Sequence, residues 1–169
     1  MRNNPLRILL FALLFIFQAV AGNHLDFGPW IYFCVIPLLI INIPIKNSPN
    51  VAMLAAFAIG LALDFATDGV PGLNAAAAVL LAALRKPLYR RWVSIDWKKD
   101  GTVPGLQNAG TVKYLFYLFL CTLIYITAYT LLDCFSLRPF WFILGRIAAS
   151  TVVDTLVAAI LGMAIFNRD

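Results

Sequence analysis

There is no glutamate anywhere in the 169 residues, so all eight acidic side chains are aspartates, and the chain holds a single histidine, His24. Charged residues make up only 12% of it, about half the share usual in a soluble domain. These shortages exclude most catalytic constellations. No Ser-His-Asp set, HExxH pair or CxxC pair can be assembled, and the sequence therefore predicts no catalytic residues, no metal site and no cofactor. The three cysteines, Cys34, Cys121 and Cys134, fall within or at the edges of apolar runs, where a thiol behaves as a small hydrophobe and packs. Cys134 is expected on the outer side, with Cys34 nearest to it in depth. The polar-apolar alternation of barrel strands is also missing, which excludes a β-barrel reading of the apolar runs.

What remains is strongly apolar. Hydrophobic residues reach 62% and mean hydropathy is +0.87, well above the roughly 45–50% apolar share of globular domains, so an ordinary cytosolic enzyme is excluded. The net charge of +5 sits between long apolar runs rather than over a surface, which argues against nucleic-acid binding and for a bilayer protein. The fold class read from this pattern is an all-α integral membrane protein forming a single transmembrane domain. Cut at charges and at Pro, Gly and Asn clusters, the chain yields six apolar segments near 6–21, 30–45, 51–65, 72–84, 113–132 and 140–166. Each is set against the roughly 20 residues that a spanning helix needs. The first is read as a retained signal anchor rather than a cleaved signal peptide, because five more segments follow it.

With loops alternating sides and the N-terminus inside, the cytoplasmic segments hold Arg2, Arg7, Lys46, Arg85, Lys86, Arg90, Arg91, Lys98, Lys99, Lys113 and Arg168. Only Arg138 falls outside, and Arg146 lies within the last segment. This asymmetry predicts six spans with both termini cytoplasmic. Segments three and four are short and rich in Ala and Gly, so they are expected to pack tightly at the centre of the bundle. A re-entrant hairpin entering from the cytoplasm is the alternative, with the same sidedness.

Ionisable groups inside a bilayer are the default functional candidates, and there are three: Asp64, Arg146 and Asp154. Matching depths predict an ion pair between Asp64 and Arg146. Asp154 lies eight residues beyond Arg146, about 12 Å along a helix, and is expected either to use Tyr125 or Thr122 as partner or to stay protonated. In the basic stretch 85–112, Arg85, Lys86, Arg90, Arg91, Lys98 and Lys99 alternate with Leu88, Trp92 and Ile95 at helical spacing. Trp92 and Trp97 would anchor an interfacial helix on anionic inner-leaflet lipids. The same residues also suit plain positive-inside charge or a cytoplasmic partner.

The run Gly60-Leu61-Ala62-Leu63-Asp64-Phe65, followed by Asp68-Gly69-Val70-Pro71-Gly72-Leu73-Asn74-Ala75, resembles the signature of the rod shape-determining MreD family. That family shows a Gly-Leu-x-x-Asp helix end, a Gly-containing turn, and a Gly-Leu start to the next helix. Length, span count and charge map resemble it across essentially the whole chain, and Gly60, Asp64, Gly72 and Asn74 map onto the signature. The resemblance implies a non-enzymatic inner-membrane component of the bacterial cell-shape and peptidoglycan-elongation complex. Its partners would be MreC and, through it, MreB, RodA and a class B penicillin-binding protein. The family is also similar in fold to the substrate-binding subunits of energy-coupling-factor vitamin transporters, so a small-molecule binding subunit is the alternative. Against that alternative, few polar side chains are expected at the outer ends of the spans, where a ligand pocket would need several. The basic stretch is longer than the family pattern suggests.

Overall fold

A computed structural model describes residues 4–24, 28–43, 48–67, 70–92, 110–134 and 139–166. Among the described residues the regular elements are all helices: α1 (Asn4–His24), α2 (Ile36–Ile41), α3 (Pro49–Ala66), α4 (Leu73–Trp92), α5 (Thr111–Asp133) and α6 (Phe140–Phe166). Three stretches are long and apolar enough to cross a membrane, Pro49–Ala66, Thr111–Asp133 and Phe140–Met163, and a shorter apolar helix covers Leu9–His24. The described residues are thus all-helical in their regular structure and have the length and apolar composition of a membrane protein.

Local chemistry accounts for the helix limits. Ser48 caps α3 by accepting the N–H of Val51, and Pro49 occupies the first helical position, where its missing N–H costs nothing. At the other end, the Thr67 backbone N–H and hydroxyl both donate to the Leu63 carbonyl. Helix α4 is not stopped by the charges at 85 and 86: it runs through Pro87 to Trp92. Tyr89 is buried edge-on to Tyr117 at 5.5 Å between ring centroids, so packing offsets the hydrogen bond that an internal proline removes.

The expected second span is the part of the fold the structure corrects. Residues 30–43 do not form one helix; residues 31–35 are irregular and, among the described residues of this run, only the six of α2 are helical. Every residue of α2 is buried, as expected of a helix that is apolar all round. This short helix fills the core, packed against α1, α3, α4 and α5. Irregular backbone is tolerated at membrane depth only where protein satisfies its polar groups, and here side chains from two helices do so. Ser150 Oγ accepts the Tyr32 N–H at 2.8 Å, Asp154 Oδ1 the Cys34 N–H at 3.1 Å, and Gln18 Oε1 the Val35 N–H at 2.6 Å. The Gln18 amide also donates to the Phe33 carbonyl at 3.1 Å, so one side chain pairs with the segment as a neighbouring strand would.

Helices α3 and α4 pack as closely as their composition predicts. A Cβ on Gly60 would stand 2.6 Å from Ala75 Cα and 2.7 Å from the Asn74 carbonyl oxygen, so backbone meets backbone. Ala52, Ala56, Ala75, Ala77, Ala78 and Ala82 are buried around this contact. Helix α5 turns a different face inward, with Tyr114, Tyr117, Tyr125 and Tyr129 buried at helical spacing together with Cys121 and Thr122. All three cysteines are free and buried.

Candidate functional site

The four residues of the sequence signature meet at the junction of α3 and α4. Asp64, in the last turn of α3, reaches across to the start of α4. Its Oδ2 accepts the N–H groups of Gly72 at 2.9 Å and Ala75 at 3.2 Å, and its Oδ1 accepts the backbone N–H and the side-chain amide of Asn74, both at 3.0 Å. The first turn of a helix leaves its N–H groups without internal partners, and here all are accounted for. Leu73 N–H donates to Val70, Asn74 and Ala75 donate to Asp64, and Ala76 makes the first bond to the Gly72 carbonyl. The negative charge also sits at the positive end of the α4 dipole. Gly72 holds φ at +102°, a conformation few other residues adopt, and this aims its N–H at the carboxylate.

Asn74 extends the network inward. Its Oδ1 accepts the hydroxyls of Tyr32 at 2.7 Å and Tyr125 at 2.6 Å, while Tyr32 stacks on Tyr129 with ring centroids 3.8 Å apart and planes 14° from parallel. Five parts of the chain, α3, α4, α5, the irregular segment and, through Gln18, α1, are thereby tied together. A cavity of about 390 Å³ opens beside this network. Gln18, Asn23, Tyr32, Thr67, Asn74 and Tyr129 supply its polar groups. The expectation that few polar side chains gather at this end is therefore overturned: residues scattered over 111 positions of sequence converge because the ends of α1, α3 and α5 and the start of α4 meet there.

The other intramembrane candidates are placed differently from expectation. Asp64 and Arg146 are not an ion pair. Arg146 binds Asp133 at 2.6 Å across the α5–α6 connection and also donates to Cys134 Sγ at 3.2 Å. Asp133 is nearer in sequence, and the four acceptor positions of the Asp64 carboxylate are already filled. Asp154 uses neither Tyr125 nor Thr122; it accepts the Cys34 N–H, and its second oxygen has no hydrogen-bond partner among the described residues.

Arg85 is also corrected. Rather than standing in a cytoplasmic loop, it is 1% exposed within α4 and donates to the carbonyls of Ile40 at 3.0 Å and Ile43. The guanidinium lies at the C-terminal end of α2, where the negative dipole end favours a cation and where it shares the Ile40 carbonyl with the Ile43 N–H. Lys86 is half-buried, and Arg90, Arg91 and Trp92 are exposed. With Pro87, the last three line an open cleft of about 550 Å³, about 24 Å along α4 from Asn74. Trp97, Lys98 and Lys99, and most of the expected interfacial helix, lie outside the described residues.

Sequence reasoning missed Gln18, Tyr32, Tyr129, Ser150 and Asp133. For Gln18 the signal was available, since it is the one polar side chain between Ile8 and Ala21 and a polar group in a span needs a partner. Among the described residues no group of three or more His, Cys or Asp side chains gathers to hold a metal ion. Comparison of the chain with family models, with curated proteins and with solved structures finds no match in any of the three.

Proposed function

We propose that this chain is a non-enzymatic component of the bacterial cell-shape and peptidoglycan-elongation machinery, of the MreD type, in the cytoplasmic membrane. The observation that carries the reading is the junction built by Gly60, Asp64, Gly72 and Asn74. Asp64 is bound to Gly72 and Asn74, Gly60 lets the two helices meet, and the lone pairs of Asp64 are taken up by four donors of the chain itself. A signature used up in this way serves architecture. It leaves Asp64 without a free lone pair with which to act as a base, which fits a scaffold better than a catalyst.

In this reading the chain crosses six times, the second crossing being the irregular segment and α2, and both termini are cytoplasmic. Even fully extended, residues 31–35 add at most about 18 Å to the 9 Å or so of α2, close to the roughly 30 Å hydrocarbon core. Arg90, Arg91 and Trp92 then face the inner leaflet and its anionic lipids. The chain docks MreC, and through it MreB, RodA and a class B penicillin-binding protein, by its membrane faces and short loops, since the described residues carry no separate soluble domain.

Mild detergent extraction of a tagged chain from its native membranes tests the reading. Co-purification of MreC, together with rounding of rod-shaped cells on depletion, is expected. Recovery without any wall-synthesis protein, and rods that keep their shape, would overturn it.

A further inference from the structure

The cavity beside the Asp64 network is not needed to hold the helices together, and its chemistry points to an occupant. Its volume of about 390 Å³ lies in the range of roughly 300–1,000 Å³ typical of small-molecule sites. Its walls come from four helices and the irregular segment, and that segment is fixed by three side-chain hydrogen bonds to its backbone N–H groups, so the shape is pre-formed.

The charge balance selects the ligand. No Lys, Arg or His lines the cavity, and its one charged residue is Asp64. An anion would meet a like charge with no cation to offset it. A cation would meet a carboxylate whose four acceptor positions are occupied by the start of α4. What the walls offer instead is neutral hydrogen bonding. The amides of Gln18, Asn23 and Asn74 each spend one of two hydrogens on a described partner, and the phenol oxygens of Tyr32, whose hydroxyl donates to Asn74, and of Tyr129 stand nearby. Beside them, Phe33 and the stacked Tyr32–Tyr129 pair provide aromatic surface. Several neutral donors and acceptors around a limited aromatic wall suit a ring with polar edges and a C–H face.

We propose that this cavity binds a small uncharged saccharide, its ring against the tyrosines and its hydroxyl or acylamino groups on Gln18, Asn23 and Asn74. The site does not depend on the wall-elongation reading, because a scaffold and a transport subunit can each carry it.

Thermal unfolding of the purified chain in detergent, titrated with N-acetylglucosamine, is the test. Glucosamine and glucuronate serve as cationic and anionic controls of similar size. A ligand that binds only the folded state raises the melting temperature with concentration. A saturable rise is expected with N-acetylglucosamine and none with either charged sugar. Val70 stands at the cavity mouth and is 64% exposed, so Val70→Trp should remove the rise while leaving the ligand-free melting temperature unchanged. Asn23→Ala, which removes one of the three side chains that hold the sugar's polar groups, should demand a several-fold higher concentration for the same shift. The absence of a saturable rise, an equal rise with the charged sugars, or a rise undiminished in Val70→Trp would each overturn the proposal, whether or not MreC co-purifies.

Discussion

The Asp154 carboxylate accepts the Cys34 backbone N–H at 3.1 Å, joining α6 to a segment 120 residues earlier in the chain. An ionisable side chain near the middle of a long apolar helix invites a functional explanation. Its partner supplies a structural one: an irregular backbone crossing apolar surroundings needs acceptors, and Asp154 is one of three side chains that furnish them.

Substitutions at Asp154 separate the role of acceptor from that of charge. Asp154→Asn keeps an oxygen for the Cys34 N–H and should unfold close to the parent temperature. Asp154→Leu leaves that N–H buried and unpaired, at about 1–3 kcal/mol, which for a chain of this size is a fall of roughly several degrees in Tm. An Asn variant as unstable as the Leu variant would show that charge matters and not the acceptor.

Gly60 tests the helix junction. Its missing Cβ leaves room for the Ala75 backbone, and a Cβ would stand at 2.6 Å from Ala75 Cα, with no flexible side chain there to yield. Gly60→Ala should destabilise by about 1–3 kcal/mol through overpacking, and Gly60→Leu by more, with loss of folded yield after extraction. A Gly60→Ala protein that melts at the parent temperature would mean that α3 and α4 are not so close.

Asp64 and Asn74 give a directional test. Asp64→Asn must turn its amide nitrogen toward backbone N–H donors on one side of α4, so it forfeits two accepted bonds at about 1.5–3 kcal/mol each, as is typical of bonds to a charged group. Asn74→Asp brings a second carboxylate against Asp64 and removes the amide that donates to it. Both variants should be less stable than the parent. The exchange Asp64→Asn with Asn74→Asp should not restore stability, because the residue at 64 then offers one acceptor oxygen to the three backbone N–H groups of Gly72, Asn74 and Ala75. Full recovery in the exchanged protein, read by melting temperature, would sink the cap assignment.

How far the fold is readable in advance depends on how local its causes are. The close approach of α3 and α4 was legible because its small residues lie within a short stretch of sequence, whereas the capping role of Asp64 was not, since an aspartate in an apolar run was matched with a distant arginine before the backbone N–H groups eight to eleven residues on. The second apolar run was not legible in the same way. Residues 30–45 look like a continuous span by hydropathy, and the partners that make a broken path stable there, Gln18, Ser150 and Asp154, lie 15 to 120 residues away. Arg85 was misassigned for a related reason. Cutting the chain at charges presumes that each charge faces water, whereas a guanidinium can be buried when it caps a half-helix. The Asp64–Arg146 pairing rested on depth alone, and depth does not say whether an acceptor is already full.

The side chains of Arg146 and Asp133 meet at 2.6 Å at the end of α5 and are 14% and 31% exposed, and a partly exposed pair of this kind should contribute no more than about 1 kcal/mol. In a double-mutant cycle, Arg146→Ala and Asp133→Ala should each lower stability slightly, and the coupling between them should stay within that bound. A cycle between Arg146→Ala and Asp64→Ala should show no coupling, with the Asp64 variant much the more damaging of the two. Strong coupling between Arg146 and Asp64 would reinstate the pairing read from depth and would require α3 and α6 to meet at a level where Asp64 is instead committed to α4.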